Sequence, residues 1–294
     1  MKRLCESIWE LGHPLFNAYL VRGADRAALV EVGISAVVPR LVGELEALGV
    51  APDLLVVTHP HTDHVSGLGA LRERFPGAEV VVGPGAPGFV AHPKAAAGFV
   101  AEDRYMAEAL ASRGEAVARP ALGGAPDLSG AWEVGEGAGI DLGGLTLELW
   151  VAGGHAPGNL VAGVPERGAL FVSDCLGFRY GRGGFMPLYF TGYGPYLDTL
   201  ERIRAWGLEV LGLGHLGALT GPAAREGVAA ARAAAEALRE RVLAHQGLDE
   251  DLAERLFTEV YRDELTCYSP VNIQMCVGLL IRRSREAGGS EQRG

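Results

Sequence analysis

Apolar residues in this chain gather in short runs, each closed by glycine, proline or charge. Residues 15–21 and 27–32 read as two strands joined by the turn Arg22-Gly23-Ala24-Asp25. Residues 37–48 have helical spacing and stop at Gly49. Leu54–Val57 is a continuous apolar strand, residues 66–75 a helix closed by Pro76-Gly77, and Glu79–Val82 another buried-type strand. The first 83 residues therefore run ββ-α-β-α-β, an α/β layered pattern.

A Gly/Pro/Ala-rich loop over 84–98 precedes a helix over 99–112, and 114–130 is irregular. Strands then follow at 132–134, 145–151, 160–164 and 169–172, with Gly143-Gly144 as a tight turn. A helix over 195–206 and a strand over 209–213 repeat the α/β texture, so the two halves can form two sheets with helices outside. Beyond Gly221-Pro222 the chain is helical over 223–245, 249–261 and 272–283, with Ser269 or Asn272 as the cap of the last helix. The expected organisation is a catalytic domain over 1–221, a helical region over 222–285 packed on the core, and a disordered tail over 286–294.

Charge removes several function classes. A net charge of −10, with Lys2 and Lys94 the only lysines, argues against nucleic acid and against an anionic membrane surface. Cys5, Cys175, Cys267 and Cys276 form no C-x-x-C pair and are too sparse for a disulfide scaffold. No apolar run reaches the ~18 residues of a membrane span, and residues 1–11 lack a signal-peptide apolar region. A cytoplasmic protein with reduced thiols is expected.

The chemistry concentrates in Thr58-His59-Pro60-His61-Thr62-Asp63-His64, directly after the apolar strand Leu54–Val57. A strand ending there delivers His59 and His61 from a tight turn and sets Asp63 and His64 at the first turn of the next helix. Imidazole and carboxylate suit Zn, Fe or Mn. His155, Asp174 and His215 each follow another apolar strand and lie beside small residues. Small neighbours let the backbone turn sharply and leave room for a metal and a substrate.

The succession H-x-H-x-D-H, G-H, S-D and G-H resembles the metallo-β-lactamase-fold hydrolase superfamily, over roughly residues 15–220. The resemblance implies a four-layer αβ/βα sandwich with the site at one edge between the sheets. It also implies that His59, His61 and His155 hold a first metal, that Asp63, His64 and His215 hold a second, and that Asp174 bridges both. Two sequence features differ from the superfamily's habit: His155-Ala156-Pro157-Gly158 lacks the usual threonine, and Glu31-Val32-Gly33 replaces Asp-Thr-Gly.

Seven N/O ligands without cysteine imply two divalent ions, most simply Zn, about 3.5–4 Å apart with a bridging hydroxide as nucleophile. Asp63 is the natural residue to orient that hydroxide and handle its proton. Arg179, Tyr180 and Arg182, in the loop after Asp174, are the expected contacts of a polar or anionic substrate, with Tyr193 and Tyr268 as further polar handles. Residues 185–190 wall an acyl pocket or fill the core under the C-terminal helices, and His13, His92 and His245 take surface or capping roles. Ser66, Ser173 and Cys175 support the site or the fold.

Within the superfamily the chain looks most like the glyoxalase II-like thioester and ester hydrolases. A small-molecule acyl substrate follows, whether thioester, ester or lactone. The main alternative is a persulfide dioxygenase-like oxidoreductase with one iron held by His61 or a neighbour, His155 and Asp174. A homodimer through the helical C-terminus is the expected assembly.

Overall fold

A computed structural model describes residues 1–115, 122–181 and 183–291. The N-terminal half begins with β1 (Lys2–Cys5), β2 (Ile8–His13), β3 (Phe16–Arg22), β4 (Ala27–Val30), α1 (Val38–Ala47) and β5 (Leu54–Val57). It continues with α2 (Thr62–Val65), α3 (Leu68–Arg74), β6 (Glu79–Val82), α4 (Ala86–Val90), α5 (Pro93–Ser112) and β7 (Trp132–Glu133). The second half holds β8 (Ala138–Asp141), β9 (Thr146–Val151), β10 (Leu160–Val164), β11 (Ala169–Phe171), β12 (Phe178–Arg179) and β13 (Phe185–Met186). Next come α6 (Tyr193–Arg204), β14 (Val210–Gly212), β15 (Leu219–Thr220), α7 (Pro222–Ala244), α8 (Asp249–Val260) and α9 (Pro270–Glu291).

The first seven strands pair in sequence order as one sheet, and a second sheet of six runs β15-β14-β11-β10-β9-β8. Strand alternation sorts their side chains into layers. From the first sheet Leu20, Leu29, Leu55 and Val57 face α1, α3, α4 and α5. Their neighbours Tyr19, Val21, Val30 and Val56 face Leu147, Leu149, Phe171 and Val210 of the second sheet. That sheet turns Trp150, Val161, Leu170 and Leu211 outward onto α6, α7 and α9. The result is helix, sheet, sheet, helix: the four-layer αβ/βα sandwich, with the C-terminal helices as part of its last layer. No helix among the described residues is long and apolar enough to cross a membrane.

Several elements depart from the sequence reading, among them the short strands β8, β12, β13 and β15, which it did not contain. β1 and β2 extend the sheet before the first expected strand; Arg3 and Glu10 broke the apolar pattern because both strands keep positions that are not fully buried. The stretch read as a loop over 84–98 carries α4 and the first turns of α5, whose Ala/Gly-rich sequence gives little apolar periodicity. The helix expected over 66–75 begins only at Leu68, and the separate turn α2 precedes it; between them lies Gly67, where a Cβ would stand 2.1 Å from the Val32 carbonyl oxygen. α9 runs on to Glu291, so the tail expected from Glu286 is helical that far, and 292–294 lie outside the described residues.

Candidate metal centre

Four apolar strands end on the same edge of the sandwich, and a potential ligand follows each of them. β5 lies parallel between β4 and β6 and ends at Val57, ahead of Thr58 and His59. β11 and β14 pair in parallel, so Asp174 and His215, each three residues past its strand, arrive together. His155 lies in the turn between β9 and β10. Hydrogen bonds stitch the two sheets here: Leu160 N–H donates to the Thr58 carbonyl at 2.7 Å, Asn17 N–H to Gly214 at 2.9 Å and Leu216 N–H to Pro14 at 2.6 Å. Glu31, Ser173 and Leu216 adopt positive φ values of 76°, 49° and 59°. Such strained non-glycine backbone persists where the surroundings fix it, and all three flank this edge.

The structure brings all seven predicted ligand residues together. Two sets offer ligand atoms within 4.8 Å of one another and could each hold an ion: His59, His61, His155 and Asp174, and Asp63, His64, Asp174 and His215. Glu31 with His59 and His64 meets the same criterion, but Glu31 lies behind the histidines, as its hydrogen bonds place it. Asp174 stands between the sets. Its Oδ2 is 3.6 Å from His155 Nε2 and 3.9 Å from His59 Nε2, while its Oδ1 is 3.1 Å from His215 Nε2 and 3.7 Å from His64 Nε2.

Hydrogen bonds on the far side of each ring decide which nitrogen is bare. His155 Nδ1 donates to the Leu188 carbonyl at 2.9 Å and His215 Nδ1 to the Leu15 carbonyl at 2.6 Å. His64 Nδ1 donates to Glu31 Oε2 at 3.0 Å. The Thr58 hydroxyl donates to Glu31 Oε1 at 2.7 Å and accepts from His59 Nδ1 at 3.1 Å. With Nδ1 engaged on the far side, Nε2 is the nitrogen that these four rings turn inward. His155 Nε2 lies 3.2 Å from His59 Nε2, a meeting of acceptors that a shared cation resolves, and 3.1 Å from His61 Nδ1. His64 Nε2 and Asp174 Oδ1 are buried without a hydrogen-bond partner among the described residues. These donor sets therefore fit divalent metal ions.

Charge divides the sets. Burial, reinforced by neighbouring rings, pushes His59 well below the ordinary histidine range, and burial with His155 pushes His61 down to about 3. His155 is lowered by burial too. Burial acts the same way on His64 and His215, yet the surrounding carboxylates outweigh it and raise both. Burial works against ionised Asp63 and Asp174, but His64 and His215 hold both carboxyls below their usual range.

The residues around the cluster were less legible. Phe89 and Phe190 flank the His61 ring at 6.2 Å each, where the cluster meets solvent. The Tyr268 hydroxyl donates to Asp63 Oδ2 at 2.9 Å. Gly214 is required by space: a Cβ there would stand 2.8 Å from His64 Cε1 and 3.0 Å from Asp174 Oδ1. Glu31, noted in the sequence only as a departure from Asp-Thr-Gly, supports both sets, and Ser173 Oγ lies 3.3 Å from His64 Nδ1.

The expected substrate contacts are redistributed. Arg179 donates to the Leu216 carbonyl at 3.1 Å, next to His215. Tyr180 lines a groove of about 240 Å³ with α7, α8 and α9, whose walls include none of the seven ligand residues. Tyr193 packs edge-on against Tyr189 with the Arg239 guanidinium 4.9 Å over its ring, a packing position in place of the expected substrate contact. Arg182 lies outside the described residues. Of residues 185–190, the side chains of Phe185, Met186, Leu188 and Tyr189 belong to the core, the Leu188 carbonyl accepts from His155, and the Phe190 ring packs near the His61 and His155 rings. His13, expected in a surface or capping role, is buried; its Nδ1 accepts from Leu15 N–H at 3.1 Å and its Nε2 meets the Glu115 carboxylate.

Residues 16–215 match the family model described as the metallo-beta-lactamase superfamily. A hydroxyacylglutathione hydrolase of Ruegeria pomeroyi is 30% identical over 161 residues, 54% of this chain and 47% of that protein, so the match spans about half the length of this curated relative. Among solved structures, a metallo-beta-lactamase family protein of Thermus thermophilus superposes with a TM-score of 0.69 at 22% identity, covering 97% of this chain and 95% of the other. An archaeal superfamily protein of Sulfolobus tokodaii gives 0.62 at 19% identity, covering 96% and 99%. These structural likenesses concern the fold.

Proposed function

The chain belongs to the metallo-beta-lactamase superfamily, and on that premise we propose that it is a dinuclear metal-dependent hydrolase of a small thioester, ester or lactone. The observation that carries this reading is the convergence of inward-facing imidazole nitrogens and carboxylates on both sides of Asp174, with His64 Nε2 and Asp174 Oδ1 buried and without a hydrogen-bond partner among the described residues. The name of the curated relative supports an acyl thioester as the substrate class.

In this reading His59, His61 and His155 would hold the first ion and Asp63, His64 and His215 the second, with Asp174 shared between the two sets. When bound, the ions supply the Lewis acidity that makes water nucleophilic near neutral pH and polarises the acyl carbonyl. The chain does the rest. Glu31, Leu15 and Leu188 fix the tautomers of His64, His215 and His155, so that each bare nitrogen faces inward. Asp63 accepts the proton of the attacking water and returns it to the leaving thiolate or alkoxide, so the products are a carboxylic acid and a thiol or alcohol. Phe89 and Phe190 border the open side at His61, where an apolar acyl substituent displaces water.

A one-iron dioxygenase leaves Asp63, His64 and His215 without a task, and no observation favours it. The test is a panel of thioester, ester and lactone substrates run with and without chelator, alongside oxygen uptake with a persulfide. Hydrolysis that chelator abolishes and zinc restores, without oxygen uptake, is expected. Oxygen consumption, or hydrolysis indifferent to chelator, sinks the reading.

A further inference from the structure

We propose that Tyr268 is a positioning residue for the second ligand set, which makes the C-terminal helical region part of the metal centre; this rests on the two-ion reading above. The Tyr268 phenol is buried and donates at 2.9 Å to Asp63 Oδ2. That same oxygen faces His64 Nε2 at 3.2 Å and His215 Nε2 at 3.6 Å. Asp63 stands on α2, a helix of four residues, and the terminal torsion of an aspartate is broad. Its carboxylate therefore needs an outside donor to keep one lone pair aimed between the two imidazoles. The phenol occupies the other direction.

The phenol itself is held from both sides. The Tyr268 ring meets Phe16, Phe178 and His215 edge-on at 6.0–6.4 Å. Its carbonyl accepts from the Tyr261 hydroxyl at 3.1 Å, which in turn lies 3.2 Å from the Tyr105 hydroxyl. One helical turn away on α5, Glu102 accepts from Ser269 N–H and Oγ at 2.8 and 2.6 Å and from Asn272 Nδ2 at 3.1 Å. Just past the end of α5, Arg113 donates to the Asp263 carbonyl at 3.1 Å and to Thr266 Oγ1 at 2.9 Å. α5 and its end thus grip the chain before, at and after Tyr268. All of this hardware ends on one oxygen of the second set, while the first set is drawn wholly from His59, His61, His155 and Asp174.

Zinc-loaded wild type and Tyr268→Phe, dialysed in parallel against a chelator series, test this by zinc per chain, with the absorption of the cobalt-substituted forms reporting each site. Wild type should hold two ions. The variant should keep one with wild-type resistance to chelator and release the other at roughly 10- to 100-fold lower chelator concentration, as loss of a ligand's hydrogen-bond partner does elsewhere. Glu102→Gln, which loosens the grip and leaves the phenol, should give the same selective loss to a smaller degree. Two ions held with wild-type resistance in Tyr268→Phe, or equal weakening of both in a variant that melts like wild type, overturns the proposal and leaves the two-ion reading standing. Fewer than two ions in wild type overturns both.

Discussion

The two ligand sets share Asp174 and differ in what surrounds them. The first is built of three imidazoles that burial keeps neutral, with His61 at the open side between Phe89 and Phe190. The second is buried throughout, adds Asp63, and has Glu31 behind His64, so carboxylates hold its histidines toward the charged form. One set offers neutral nitrogen to a cation without first releasing a proton. In the other the carboxylates favour protonated imidazole, so an ion there competes with protons. A shared fold edge has produced a nitrogen-rich, substrate-facing site and a charge-rich, structurally braced one.

Removing the shared residue should break the comparison altogether. Asp174→Ala leaves both sets without their common carboxylate, and turnover should fall by more than the ~10–100-fold typical of losing an outer partner, with metal content falling at both sites. Turnover and metal content near wild type would mean that Asp174 does not join the sets. Glu31→Gln should sharpen the comparison with a smaller effect. The amide keeps the shape but removes the charge behind His64, so the second ion should weaken by about tenfold while the first, touched only through Thr58 and His59, changes less. Competition with a chelator dye resolves the two steps; equal weakening would contradict the asymmetry.

Much of this was readable in the sequence because the ligands follow strands buried on both faces. Leu54–Val57, Ala169–Phe171 and Val210–Gly212 are apolar throughout, so their ends, and the ligand candidates just past them, stand out. The partly exposed strands β1 and β2 lack that uniformity, and the Ala/Gly-rich start of α5 lacks periodicity. Side-chain direction was less accessible still. Tyr180 and Tyr193 lie near Asp174 in sequence, yet one faces a groove of the helical layer and the other packs beneath Arg239. Tyr268 reaches Asp63 across 205 residues, a contact that only the packing of α5 against the C-terminal segment creates. Glu31 was visible as an odd residue in a turn, but its link to His64 spans 33 positions, across α1 and β5.

The most direct test of the account is the number of divalent ions per chain in protein purified without added metal and then titrated with zinc. The account predicts saturation at two, the first ion binding with little proton release and the second with more. Saturation at one, or none, would contradict it.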